Sequence, residues 1–152
     1  MEKMKIVPAG YCKNDKIMFV CISASFQGRP GFEDRKGKAY ECTQKYWELK
    51  GDALLKAKEA HYICGTSQCI IEGVYKNTSG WKLVREFKEM KNDPEVVGFS
   101  YDGNRYGPHH EYLDRYAFTG EKAPAEIWNR YVGQRIPEEC KHSQTKVVTF
   151  NF

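Results

Sequence analysis

Apolar side chains recur along this chain with two rhythms, every second residue as in strands and about every 3.6 residues as in helices. Residues 17–23, IMFVCIS, form a nearly continuous apolar run, which predicts a central strand buried on both faces. The segment Ser25-Phe26-Gln27-Gly28-Arg29-Pro30-Gly31 interrupts it with Gly and Pro, and residues 32–38 read as a charged loop. Tyr40, Thr43 and Trp47 fall on one face of a helix over 40–50, and Asp52 is placed to cap a second helix over 53–60. Two apolar, β-branched runs, 62–64 and 69–75, are separated by Gly65-Thr66-Ser67-Gln68, which predicts a hairpin with strands over 62–66 and 69–75.

Beyond the hairpin the signals shorten. Asn77-Thr78-Ser79-Gly80 is a turn, 81–86 a strand or extended connection, and 89–94 (EMKNDP) a polar loop. Residues 96–101 read as a strand, Asp102-Gly103-Asn104 as a tight turn, and 104–113 as an irregular stretch rich in Tyr and His. A short strand over 115–119 ends at Gly120. Pro124 opens a helix running to about residue 131, which Gly133 closes at its C′ position. Residues 146–152, KVVTFNF, alternate as a last strand. About six short strands and three short helices, without regular βαβ alternation, predict an α+β fold. The expectation is a single small domain, 1–152, with a curved, mainly antiparallel β-sheet or partial barrel.

Composition narrows the class. At 152 residues the chain fits one domain, and 41% hydrophobic with 29% charged residues is the balance of a globular protein. No apolar run approaches the ~18 residues of a membrane span, and the first sixteen residues lack the apolar core of a secretory signal. A cytoplasmic location without a membrane partner is therefore expected. In that setting the six cysteines read as reduced thiols, several of them small hydrophobes within apolar runs. Net charge is +4 with a pI near 8.7, short of the strongly basic footprint of nucleic-acid proteins. Anionic partners are permitted, and ordinary solvated lysines account for the charge equally well.

Candidate chemistry centres on aromatic rings beside cations. Tyr40, Tyr46, Trp47, Tyr75, Trp81 and Trp128 serve either as core packing or as faces on which a base stacks. Trp47, between Lys45 and Lys50, best combines a stacking face with phosphate-seeking charge. A second candidate is the break after the first strand, where Ser23, Ser25, Phe26 and Arg29 could hold a phosphate or a base edge. Arg130 and Arg135 on the last helix make a third, weaker anion patch. His109, His110 and Glu111, with Asp114, are the one cluster with general acid–base character, and a polar surface loop explains them as well. His61-x-x-Cys64-x4-Cys69 and Cys140-x-His142 offer zinc-type ligands, but the cysteines sit in strand-like runs and no Cys-x2-Cys pair exists. No metal or cofactor is expected. P-loop, Gly-x-Ser-x-Gly and zinc-deaminase patterns are all missing.

Two segments carry a family resemblance when taken together. The first runs through Ala39-Tyr40, Thr43, Trp47 and Leu49, an Ala-rich helix at 57–60, and the strand from Cys69 toward Trp81. The second is Tyr116 to Gly120, then Ala123-Pro124-Ala125-Glu126-Ile127 and Tyr131-Val132-Gly133. This order resembles a small domain found beside GIY-YIG nuclease domains in some LEM-type proteins and as a stand-alone unit in bacteria and phages. It is similar to the broad PUA/EVE/ASCH-like group of small barrels that read nucleic acid or modified bases. The resemblance covers about half the chain, and the GIY-YIG motif itself is missing, so nuclease activity does not carry over.

Residues and resemblance together predict a non-catalytic module for a nucleotide-like ligand. That ligand is a base in nucleic acid, or a free or cyclic nucleotide whose sequestration would suit an anti-defence protein. The expected site is Ser23, Ser25, Phe26, Arg29, Tyr40, Trp47, Lys50, Trp81 and Arg130. The alternatives are a small hydrolase or phosphodiesterase using His109, His110 and Glu111, and a protein–protein adaptor. A homo-oligomer is an open option.

Overall fold

Strand β1 (Ile17–Cys21) sends Met18 and Val20 to one side and Ile17 and Phe19 to the other, and all four are fully buried. The run predicted to be covered on both faces is covered on both faces. This computed structural model describes residues 11, 14–29, 32–101, 103–140 and 147–150. The expectations for Cys12, Pro30, Gly31, Asp102, His142 and the two ends of the last strand lie outside the described residues.

After β1 the chain forms α1 (Ser23–Phe26), α2 (Ala39–Gln44) and α3 (Gly51–Glu59), then β2 (Tyr62–Ser67) and β3 (Ile70–Asn77). β4 (Lys82–Leu83), α4 (Lys88–Lys91), α5 (Pro94–Val97), β5 (Phe99–Tyr101) and β6 (Asn104–Tyr106) follow. β7 (Tyr116–Ala117), β8 (Gly120–Lys122), α6 (Ala125–Tyr131) and β9 (Val147–Phe150) complete the order. The main sheet is open and five-stranded, in the order β8-β3-β2-β1-β9. Every pairing in it is antiparallel except β1 with β2, which run parallel because α1 to α3 carry the chain back to the starting edge. β4 pairs with β7, and β5 with β6, in two separate ribbons. The fold is α+β with a mainly antiparallel sheet, as expected from the sequence.

Each face of the sheet has its own core. Met18, Val20, Ile63 and Tyr75 pack under Trp47, Leu49, Trp81 and Phe118 on one side. Ile17, Phe19, Cys64 and Val74 pack under Tyr131, Ile136 and Phe150 on the other. Each such side chain contributes ~1.5–3 kcal/mol by leaving water, so the two cores are the main stabilising term. A third cluster (Tyr46, Val84, Met90, Val96, Tyr112 and Ala117) lies off the sheet, where α4 and α5 fold against the β4–β7 ribbon. Among the described residues no helix is long and apolar enough to cross a membrane.

Several local expectations are corrected. Among the described residues six short α-helices are found rather than three: the break after β1 opens with α1, and the polar stretch predicted as a loop over 89–94 is helical on both sides of Asp93. Asp93 caps α5 by accepting the Glu95 amide at 3.0 Å, with Pro94 in the first turn. Four-residue helices are too short to display an apolar period. Val96 and Val97 consequently belong to α5, and the following strand begins at Phe99. The helix expected over 40–50 ends at Gln44. Asp52 is no cap: it sits in the first turn of α3 and pairs with Lys56 at 3.4 Å.

The hairpin exists, but its turn is Gln68-Cys69, where both residues have positive φ (52° and 66°), the signature of a type I′ turn. Gly65, which also reads as a turn residue, lies inside β2 within the strand expected over 62–66. There α2 approaches so closely that a Cβ would stand 2.0 Å from Thr43 Oγ1. We expect Gly65→Ala to lower stability by ~1–3 kcal/mol through overpacking. Urea unfolding should show the loss, and adding Thr43→Ala should restore part of it; an unchanged midpoint would refute the close-packing account.

Candidate ligand-binding cleft

A cleft of about 530 Å³ opens where the end of β1 and α1 face the segment leaving α2. Its aromatic walls are Phe32, Tyr46, Trp47 and Tyr112, and its cations are Arg35, Lys45 and Arg115. Cys21, Ala24 and Ser25 border it from the β1–α1 side. The Tyr46 and Tyr112 rings stack at 4.6 Å with 19° between planes, and the Arg115 guanidinium lies 4.7 Å from the Tyr112 centroid. Such contacts fix the two buried rings in place as a wall of the cleft.

The deep cations are already paired. Arg35 donates through Nη2 (3.0 Å) and Nε (3.1 Å) to Glu95 Oε1, and through Nη1 to the Lys45 carbonyl at 3.1 Å. Arg35 and Glu95 are 4% and 2% exposed, so this is a truly buried ion pair. Lys45 Nζ binds Asp93 Oδ2 alongside it. Burial pushes Glu95 above the ordinary carboxylate range, against the pull of the Arg35 charge, and Asp93 adds to the rise. Burial acts on Asp93 too, but the hydrogen bonds from Lys45 and the Glu95 amide outweigh it and hold Asp93 below its usual value. Glu95 Oε2 has no hydrogen-bond partner among the described residues. Asp34, Asp93 and Glu95 bring carboxylate oxygens within 4.8 Å of one another, an arrangement that attracts cations, and Arg35 and Lys45 supply them. Among the described residues no other group of three or more His, Cys, Asp or Glu converges this way, so His61, Cys64 and Cys69 do not form a site. Cys21, Cys42, Cys64 and Cys69 are free thiols, and burial pushes Cys64 far up.

Arg115 is held differently. Trp47 and Tyr116 exchange two backbone hydrogen bonds (2.9 and 2.8 Å), an isolated antiparallel bridge. The residues on either side therefore face each other, and Arg115 Nη2 meets Glu48 Oε1 at 3.6 Å at the mouth of the cleft.

Two of the predicted site residues, Ser25 and Trp47, line this cleft. Trp47 is also 8% exposed and donates from Nε1 to the Thr43 carbonyl at 2.8 Å, so it is a structural wall. Ser25 donates to the Ile22 carbonyl. Ser23 Oγ accepts the Gln68 amide at the hairpin turn, and Phe26 packs on the core. Tyr40 accepts the Gly120 amide and donates to the Gly120 carbonyl, which pins α2 to β8. Trp81 is sealed against Phe118 with its Nε1 bonded to the Ala57 carbonyl. Arg29 and Lys50 are exposed away from the cleft, and Arg130 pairs with Asp15 at 3.7 Å. His109 contacts Glu111 at 3.1 Å, and a backbone hydrogen bond together with that histidine holds Glu111 below its usual range. His109 also stacks on Tyr112, yet His109, His110 and Glu111 do not line the cleft.

Phe32, Arg35, Tyr112 and Arg115 were not singled out from sequence. The one local signal was Tyr112-x-x-Arg115: Arg115 follows the 3₁₀ turn His110–Asp114 and its amide bonds back to the Tyr112 carbonyl. A second cleft of about 460 Å³, lined by Phe87, Glu89 and Met90, shares Lys45 with the first.

Fold and cleft together describe a small α+β domain with an open sheet and a cleft walled by aromatic rings and cations. No family model, curated protein or solved structure matches the chain.

Two outcomes test the charge arrangement. Arg35→Ala, which strands Glu95, should cost ~3–5 kcal/mol, whereas Arg35→Met with Glu95→Leu should cost far less. Equal losses for single and double variants in urea melts would refute the buried pair. For Asp93, a folded pKa below the unfolded value means stability that is full above pH ~4 and lost as pH falls through the folded pKa. Asp93→Asn should therefore be less stable at neutral pH, with the gap to wild type closing on acidification; a gap independent of pH would contradict this.

Proposed function

We propose that the chain is a non-catalytic module that binds a nucleotide-like ligand in this cleft. The observation that carries the reading is the half-buried Phe32 ring beside the wall of the Tyr46–Tyr112 stack, with a guanidinium at the mouth. A flat ring gains from stacking on such faces, and a negative group gains from the guanidinium. The volume falls within the range of small-molecule sites, about 300–1,000 Å³. The resemblance to nucleic-acid-reading small barrels supports the same ligand class.

A free nucleotide, linear or cyclic, suits the site better than a polymer. Duplex affinity rests on neutralising many phosphates, and here Arg35, Lys45 and Arg115 all face carboxylates, the first two in buried pairs and Arg115 in an exposed one. The hydrolase alternative is less favoured, because its acid–base residues stand outside the cleft. Sequestration without turnover would follow.

The test is calorimetric titration with nucleosides, nucleotides and short single-stranded oligonucleotides. Phe32→Ala should weaken binding by ~1–3 kcal/mol, the size of one lost base-stacking face. Trp47→Ala would be uninformative, since emptying that core site costs ~3–5 kcal/mol of stability. A folded Phe32→Ala variant that binds like wild type, or a panel in which nothing binds, would refute the proposal.

A further inference from the structure

The cations of the cleft divide sharply by what an incoming anion could recruit. Arg35 is held by Glu95 and the Lys45 carbonyl, and Lys45 by Asp93, with side-chain exposures of 5%, 2%, 11% and 12% for Arg35, Glu95, Lys45 and Asp93. A ligand phosphate that drew either cation away would leave a carboxylate charged and buried without a partner, which is strongly unfavourable. Arg115 is the opposite case. Its pair with Glu48 is 3.6 Å long, and the two side chains are 30% and 67% exposed. An exposed pair of this kind contributes little, so its carboxylate is easily exchanged.

The Arg115 backbone is nevertheless firmly placed. Its amide donates to the Tyr112 carbonyl at 3.0 Å, its carbonyl accepts the Val84 amide at 2.9 Å, and the next residue is locked to Trp47. The guanidinium rests on the Tyr112 ring. A planar fork already oriented, with a replaceable counter-charge, is the geometry that takes a phosphate through two parallel N–H donors. Beside it stands Glu48, which repels any further negative charge, and the other cleft cations among the described residues are committed.

Resting on the reading above, we propose that the ligand carries a single phosphate, as a linear monoester or a cyclic diester. Arg115 clamps that phosphate, and Glu48 is the carboxylate it displaces. Additional phosphates gain nothing, because they meet Glu48 rather than a cation.

The experiment is isothermal titration of the full chain with the four common ribonucleosides, their 5′-monophosphates, 3′,5′-cyclic monophosphates and 5′-triphosphates. For the base that binds, one phosphate should tighten affinity about tenfold over the nucleoside, and the triphosphate should bind no tighter than the monophosphate. The linear and cyclic arms identify which ester is taken. Arg115→Ala should erase the phosphate increment so that nucleoside and monophosphate bind alike. Arg115→Lys should keep part of it, because charge remains but the fork is lost. Glu48→Gln should enlarge the ratio of monophosphate to nucleoside affinity, because the displaced counter-charge is gone. Urea midpoints near wild type establish that these variants fold. A triphosphate that binds several-fold tighter, or a phosphate increment that survives Arg115→Ala, overturns the assignment. Nucleosides that bind with no phosphate increment overturn it while sparing the binding-module reading, and a panel in which nothing binds overturns both.

Discussion

Two buried ion pairs, Arg35 with Glu95 and Lys45 with Asp93, join the α4–α5 excursion to the body of the protein. Removing four charged groups from water is costly, and the arrangement persists because each cation faces a carboxylate while backbone groups satisfy further donors and acceptors. Asp93 serves twice, holding Lys45 through one oxygen and capping α5 through the other. Without these pairs, the third apolar cluster would lack the anchor that sets α5 against the segment leaving α2. The cleft borders that same segment, so its shape depends on the same contacts.

The charge arrangement also determines what the cleft offers. Its interior is electrostatically closed, since deep cations and carboxylates cancel each other. Among the described cleft residues, what remains reachable is the half-buried Phe32 ring and the exchangeable Arg115 guanidinium. A net charge of +4 therefore overstates the attraction this site has for anions. Position, rather than total charge, sets the preference for a compact ligand.

Much of the sheet was legible because its side chains repeat every second residue and because both faces are buried. β1, the hairpin and α6 carry long or well-punctuated signals, and all three form. The errors collect where elements are four residues or shorter. α4 and α5 present polar residues that serve caps and ion pairs, so their composition imitates a loop. Gly65 carries an ambiguous signal: a glycine required by the close passage of α2 is indistinguishable, in one dimension, from a glycine required by a turn.

For the site, the chain itself determined that aromatic rings would lie beside cations around residues 45–47, since neighbours in sequence remain neighbours in space. Which rings stay reachable could not follow from it. Trp81 and Tyr40 went to structural duty, while Phe32, Tyr112 and Arg115 arrived at the cleft from segments far apart in sequence. Local periodicity and residue chemistry fixed the longer strands of the sheet, the burial of β1 on both faces and the supply of aromatic and basic groups, but not short strands such as β6 and β8. Tertiary packing alone decided which charges neutralise each other, because pairing depends on distances and desolvation between segments that sequence order does not bring together.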